Sequence, residues 1–152
     1  MNDILSSNTN WIYFVIAFVG IIAYIASMQR VESRRIVNKF SQGAVMFMSF
    51  GVNYFGLESE PGGPARSTGT LAFIKDGLYY RARHANRELF IPGGTITNIE
   101  IIDQHKGKPL HQKVVGIIFL NQEGKVDRAA FRIPHPARWV DAIKSRFMSG
   151  EK

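Results

Sequence analysis

The sequence predicts an N-terminal transmembrane helix followed by a mainly-β domain, a partly open barrel of about seven antiparallel strands capped by one C-terminal helix. Two observations support this fold class. Residues 11–28 form an apolar run without a charged residue. From Ala44 onward the apolar residues follow the spacing of strands, and they return to a helical spacing only near the C-terminus.

The apolar run WIYFVIAFVGIIAYIASM is long enough to cross a bilayer. At about 1.5 Å per helical residue it spans about 27 Å, against a hydrocarbon core of about 30 Å. Aromatic rings stand near both ends, where they favour the headgroup level, and arginines follow directly. The predicted anchor and stop residues are Trp11, Tyr13, Tyr24, Arg30, Arg34 and Arg35.

Two other structures compete with a membrane anchor. A buried core helix of this length usually carries polar residues on one face, and this run has almost none. A cleaved signal peptide needs a basic first region, but residues 1–10 carry only Asp3, and no small-x-small cleavage pattern follows. We therefore favour the anchor. Because no Lys or Arg precedes the run, we expect the N-terminus outside and the C-terminal part in the cytoplasm of a cell with an inner membrane.

The chain divides into five predicted segments. They are an extracytoplasmic N-terminus (1–10), the transmembrane helix (11–28), a basic juxtamembrane segment (29–42), the β domain with its C-terminal helix (43–148) and a tail (149–152). For the juxtamembrane segment, an interfacial helix and a charged linker fit equally well.

The first half of the domain contains four predicted strands. AVMFMSFGVNYFGLE is a long first strand, in which Gly51 and Gly56 mark a bulge or bend. After a loop rich in Gly and Pro, GTLAFIKDGLYYRAR predicts a hairpin with Gly77 at a turn position that tolerates a positive φ. RELFIP is a short fourth strand that ends at Pro92.

Three more strands and a helix complete the predicted domain. TITNIEIID is the fifth strand, with one register slip near Thr97, and QHKGKPLHQ is a basic loop. KVVGIIFLN and VDRAAFRIP are the sixth and seventh strands. The helix of residues 136–147 carries an apolar stripe that we expect to plug the open end of the bent sheet. Its capping residues are Trp139, Ile143 and Phe147.

Composition limits the chemistry that the domain can carry. Beyond residue 28 the chain holds 19 basic and 11 acidic residues, a net charge of +8, which suits an anionic membrane surface. There is no cysteine, which excludes disulfides, thiolate nucleophiles and Cys-based metal sites. No nucleophile elbow, phosphate loop or dinucleotide fingerprint is present. We expect no catalytic residue and no cofactor.

Metal and nucleic-acid sites are also not expected. His105 and His111 flank the basic loop and are able to approach each other across it, but only Asp103 lies near them as an acidic ligand. Exposed aromatic residues interleaved with basic ones, as nucleic-acid binding requires, are few.

Two groups of basic residues are candidate contacts for anionic lipid or a protein partner. They are Arg81, Arg83 and Arg87 after the second hairpin, and Lys106, Lys108 and Lys113 around the later loop. Ordinary solvent-facing charges are the simpler explanation of both groups.

The strand order and the segments GTLAFIKDGLYYRAR, RELFIP, TITNIE and AAFRIPHPARWVDAI resemble a bacterial family of single-pass membrane proteins with a pleckstrin-homology-like (PH-like) domain. The resemblance covers residues 43–147 and implies the fold. PH domains that read phosphoinositides carry clustered basic residues in the first hairpin loop, whereas this loop, ESEPGGPARST, has only Arg66. We therefore expect a non-catalytic module that binds a protein partner at the membrane, with anionic-lipid binding as the alternative.

Overall fold

The computed structural model describes residues 3–150, with side chains from Asn10 onward, and divides into two compact units at the boundary between Lys39 and Phe40. The first unit is a helix, α1 (Asp3–Phe40), whose last residue begins the second unit. Within the described residues, one stretch is long and apolar enough to cross a membrane, Asn10–Phe40. The helix continues beyond the apolar run, so Arg30, Arg34 and Arg35 lie on its C-terminal turns.

The second unit contains seven strands and a C-terminal helix. The strands are β1 (Val45–Leu57), β2 (Ser67–Ile74), β3 (Gly77–Ala82), β4 (Glu88–Pro92), β5 (Ile96–His105), β6 (Lys108–Leu120) and β7 (Val126–Arg132). They form one antiparallel sheet in the order β4-β3-β2-β1-β7-β6-β5, so that β1 and the last strand, β7, lie side by side in its middle. A 3₁₀ turn (Gly93–Thr95) connects β4 to β5.

The two glycines of β1 mark irregularities, as predicted. Gly51 has φ 68° and lies between Phe50 and Val52, where the register with β2 shifts. Gly56 has φ 90° and lies where the pairing with β7 shifts. Both conformations are left-handed, which glycine adopts at little cost. These bulges bend the strand, so one long strand pairs with β2 along its first part and with β7 along its last.

The prediction for Gly77 was right about the hairpin and wrong about the reason for the glycine. Gly77 pairs with Ile74 across a two-residue turn, and it does not have a positive φ. A Cβ at this position would lie 2.2 Å from the carbonyl oxygen of Ile91. Glycine is required because β4 passes so close to the start of β3.

The predicted basic loop QHKGKPLHQ does not exist as a loop. His105 pairs with Lys108, so β5 and β6 continue to a two-residue turn of Lys106 (φ 54°) and Gly107 (φ 71°). Two left-handed residues in succession make the tight turn that matches strand twist. A further irregularity lies between Ile102 and Gln104, and it separates the tip of this hairpin from its base. The register slip predicted near Thr97 is confirmed between Ile96 and Asn98.

The C-terminal helix, α2 (Pro136–Ile143), continues as a π-helical turn (Lys144–Met148). Trp139 and Ile143 are 1% and 0% exposed, and Phe147 packs against the same core. The indole N–H of Trp139 donates to Ser49 Oγ (3.0 Å), and its ring meets Phe47 edge-on, with centroids 4.7 Å apart. The predicted burial of Trp139 is therefore confirmed.

The buried side chains of the sheet's concave face and of α2 form one core. Its large aromatic and aliphatic members are Tyr54, Leu71, Phe73, Leu78, Tyr80, Ile91, Ile117, Phe131, Trp139 and Ile143. Seven antiparallel strands in an open sheet with a short C-terminal helix agree with the predicted PH-like fold class.

Candidate functional site

A cleft of about 550 Å³ lies where β4, the end of β1 and the β6–β7 turn meet. Apolar side chains make up much of its wall: Leu57, Leu89, Phe90, Pro92, Phe119 and Leu120. Phe90 is 44% exposed and Leu120 is 39% exposed. Val126, 70% exposed, is the pairing partner of Leu120 in the neighbouring strand. Exposed apolar side chains therefore cluster at this end of the domain. We call the cleft that they line the open-end cleft.

The acidic groups of the open-end cleft already have partners. Asp127 is 3% exposed, and its carboxylate accepts the backbone N–H (3.1 Å) and the hydroxyl (2.5 Å) of Ser59. Glu123 pairs with Lys125 at 2.8 Å. No Lys or Arg belongs to the described residues that line the cleft. The cleft thus lacks positive charge within a strongly basic domain.

A second feature is a polar network at the tip of the β5–β6 hairpin. His105 is fully buried; its Nε2 lies 2.9 Å from the carbonyl oxygen of Gly56 and its Nδ1 lies 3.0 Å from Glu58 Oε2. The same carboxylate accepts the backbone N–H of Lys106 (3.2 Å). These contacts fasten the tip of the hairpin to the end of β1.

Arg128 extends this network to β5. Its guanidinium donates to Glu58 (3.1 Å) and to Glu100 (3.4 Å). Burial raises the pKa of Glu58, but the hydrogen bonds from Lys106 and Arg128 outweigh it and leave that pKa below its usual range. Burial lowers the pKa of His105, against the opposing effect of Gly56 and Glu58. The arrangement thus connects the end of β1 to β5 and β7.

Of the predicted basic contacts, the three arginines lie on or beside the β3–β4 hairpin. Arg87 forms an ion pair with Glu60, and its guanidinium stacks over the ring of Tyr54 (4.8 Å). Arg81 pairs with Glu88 at 3.6 Å. Arg83 donates its backbone N–H to Thr68 (2.9 Å). Arg87 is thus fixed within the domain.

The three lysines lie on the β5–β6 hairpin. Lys106 occupies the turn, and the side chain of Lys108 packs against Gly63 of the first loop. Lys113 is exposed in the irregular part of β6. The structure thus divides the predicted basic contacts between two hairpins.

The two histidines considered as metal ligands have different surroundings. His105 is buried in the network, whereas His111 is exposed and lines a shallow pocket beside Lys113. Across the part of the chain that the structure describes, no group of three or more His, Cys, Asp or Glu side chains is placed to hold a metal ion.

Sequence reasoning missed three polar residues that organise the domain, namely Asn53, Asp127 and Arg128. Asn53 and Asp127 are 7% and 3% exposed. Both lie inside strands, and a polar residue within a predicted strand is the signal that was available. The carboxylates of Glu58 and Glu60 also hold partners, although their loop predicts solvated charges.

Comparison with known proteins supports the fold alone. No protein-family model and no curated protein matches the sequence. The C-terminal domain of an unknown protein from Leishmania infantum is similar in structure, with a TM-score of 0.53 and 13% identity over 80% of this chain and 99% of that one. A chain of the 8S snRNP assembly intermediate matches with a TM-score of 0.49 and 13% identity over 72% and 82%. At this identity the first match shows a shared fold, and the second carries no further argument.

Proposed function

We propose that this chain is a non-catalytic, membrane-anchored PH-like module that binds a protein partner at the cytoplasmic face of an inner membrane, as an accessory subunit of a membrane complex. The observation that carries the proposal is the open-end cleft. Exposed apolar surface of this kind on a monomer is typical of a protein contact. The length and apolar composition of α1 support the anchor, and the arginines after its apolar run support the orientation.

The lack of positive charge among the described lining residues of the open-end cleft favours a protein partner over a lipid headgroup. A headgroup site needs Lys or Arg to meet the phosphate, and none is among the described lining residues. Apolar contacts with a protein segment need no such charge, and aromatic anchors such as Phe90 commonly dominate the binding energy.

Photo-crosslinking in intact membranes tests this proposal. A photoreactive residue in place of Phe90 should give one specific adduct, and the same residue in place of Ile101 should not. Ile101 is a matched control because it is similarly exposed, at 51% against 44% for Phe90, but does not line the cleft. Leu120→Glu should abolish the Phe90 adduct. Equal adducts at both positions would argue against the cleft as the contact.

Anionic-lipid binding is the second candidate, favoured by the lysines at the tip of the β5–β6 hairpin. The candidate contacts are Arg81, Arg83, Arg87, Lys106, Lys108 and Lys113. Because Arg87 is held in its ion pair, the test addresses the three lysines. If they bind lipid, protein reconstituted in anionic bilayers should protect the hairpin tip from hydrogen exchange, and added salt should reverse that protection. Equal exchange in anionic and zwitterionic bilayers would remove this candidate.

A further inference from the structure

A shallow pocket of about 410 Å³ lies beside the bulge of β1, away from the open-end cleft. Gly51, Asn53, Arg132, Ile133 and Pro134 line it. Asn53 and Arg132 are direct partners in the β1–β7 pairing, so their side chains emerge from the same face of the sheet. Gly51 adds no side chain there, and the space beside it is open.

The hydrogen bonds of Asn53 fix which of its groups is left for the pocket. Its Oδ1 accepts from Arg66 Nε (3.1 Å) and from Thr68 Oγ1 (2.9 Å). Arg66 is only a donor, so the amide oxygen must face it. Thr68 lies in β2, and Arg66 directly precedes the first residue of that strand. β2 flanks β1 on the side opposite to β7. The amide nitrogen, which only donates, therefore points away from β2 and toward the side of β1 on which Arg132 lies.

Positive charge at this pocket is not neutralised by nearby carboxylates. Among the described residues, neither Arg66 nor Arg132 forms an ion pair, and both are exposed. The carboxylates of the loop before Arg66 are held elsewhere, Glu58 by Arg128 and Glu60 by Arg87. The pocket thus combines a guanidinium with a side-chain amide donor on a residue that is 93% buried, since Asn53 is 7% exposed.

We propose that this pocket binds a phosphate-class oxyanion, with Arg132 and the amide N–H of Asn53 as donors and Arg66 as the residue that positions Asn53. A phosphate presents several acceptor oxygens, which suits donors arriving from two strands, and the planar fork of arginine matches it. The phosphate comes either from a lipid headgroup or from a soluble ion. The inference rests on this pocket alone and is independent of the proposed function.

The test uses the full chain in zwitterionic phosphatidylcholine nanodiscs. The side-chain amide resonance of Asn53 is followed by NMR while inorganic phosphate replaces chloride at constant ionic strength. We expect a saturable shift. A parallel sample in nanodiscs containing phosphatidylglycerol, without phosphate, separates the sources: a shift there identifies a lipid headgroup, and a shift only with inorganic phosphate identifies a soluble ion.

Variants distinguish a site from general electrostatic attraction. Arg132→Gln should weaken phosphate binding about tenfold or more, as loss of a charged hydrogen bond does, whereas Lys113→Gln, with the same change in charge, should leave it unchanged. Arg132→Lys keeps the charge but loses the fork, so it should also weaken binding. A linear shift without saturation, or equal weakening by the Arg132→Gln and Lys113→Gln variants, would overturn the proposal.

Discussion

The Nδ1 atom of His105 lies 3.0 Å from Glu58 Oε2, and this contact joins the tip of the β5–β6 hairpin to the end of β1. His105 is 0% exposed, whereas the side chain of Glu58 is 40% exposed, so the pair links a buried group to the surface. Because the other ring nitrogen meets the carbonyl of Gly56, both sides of the imidazole face acceptors.

We predict that acidification loosens this hairpin tip. Burial holds the pKa of His105 below its ordinary value of 6.5. The unfolded chain therefore binds a proton at this residue at a higher pH than the folded chain does. The free energy of unfolding consequently falls as the pH drops from 6.5 through the folded-state pKa. The pKa of Glu58 is lowered as well, so its contribution is lost on further acidification. Thermal unfolding followed from neutral pH downward should show falling stability. His105→Gln should reduce the loss of stability in the range just below pH 6.5. Replacement of the exposed His84 by Gln should leave that loss unchanged.

The helix that caps the core should be essential to stability. Trp139→Ala should lower the free energy of unfolding by about 3–5 kcal/mol, because it leaves a cavity among Phe47, Phe73 and Ile143. Ser49→Ala removes only the hydrogen bond to the indole and should cost about 1 kcal/mol. Urea unfolding of the full chain in detergent measures both. Similar small losses in the two variants would contradict the capping role.

Two adjacent glycines should respond differently to alanine. A Cβ on Gly93 would lie 2.1 Å from the ring of Phe147, whereas a Cβ on Gly94 would meet nothing within 4 Å. Gly93→Ala should displace Phe147 from the cap and cost roughly 1–3 kcal/mol, and Gly94→Ala should cost much less. The two melting temperatures give the comparison. Equal losses would mean that both glycines serve the backbone of the turn, not the approach of Phe147.

The orientation of the anchor should depend on the arginines after its apolar run. A C-terminal reporter that is active only in the cytoplasm should be active on the wild-type chain. Replacement of Arg30, Arg34 and Arg35 by Gln should reduce that activity, because the charge bias that retains this end inside is weakened. Replacement of Lys106, Lys108 and Lys113 by Gln removes the same charge at positions distant from the apolar run in the sequence, and should have little effect. A reporter active only outside the cytoplasm would reverse the proposed orientation.

Local pattern was sufficient for the order and type of the elements. The uncharged run before Arg30 predicts a helix, and alternation around Lys75 and Gly77 predicts a hairpin, because both patterns arise from contacts between near neighbours in the chain. The spacing of Trp139, Ile143 and Phe147 likewise predicted which side of the last helix is buried. In each case the residues that carry the signal are only a few positions apart.

The sequence by itself determined an apolar anchor candidate, a chain of seven strands and a capping helix. Only the tertiary structure decided which polar groups are engaged by other residues of the domain. Arg87 looked like a surface charge until Glu60, 27 residues away, was placed beside it, and His105 was assigned to a loop although it meets Gly56 across 49 residues. Neither the open-end cleft nor the pocket lined by Asn53 and Arg132 is indicated by a pattern of neighbouring residues in the sequence. Both arise because β1 lies beside β7, and pairing between distant strands is not encoded in any short stretch of sequence.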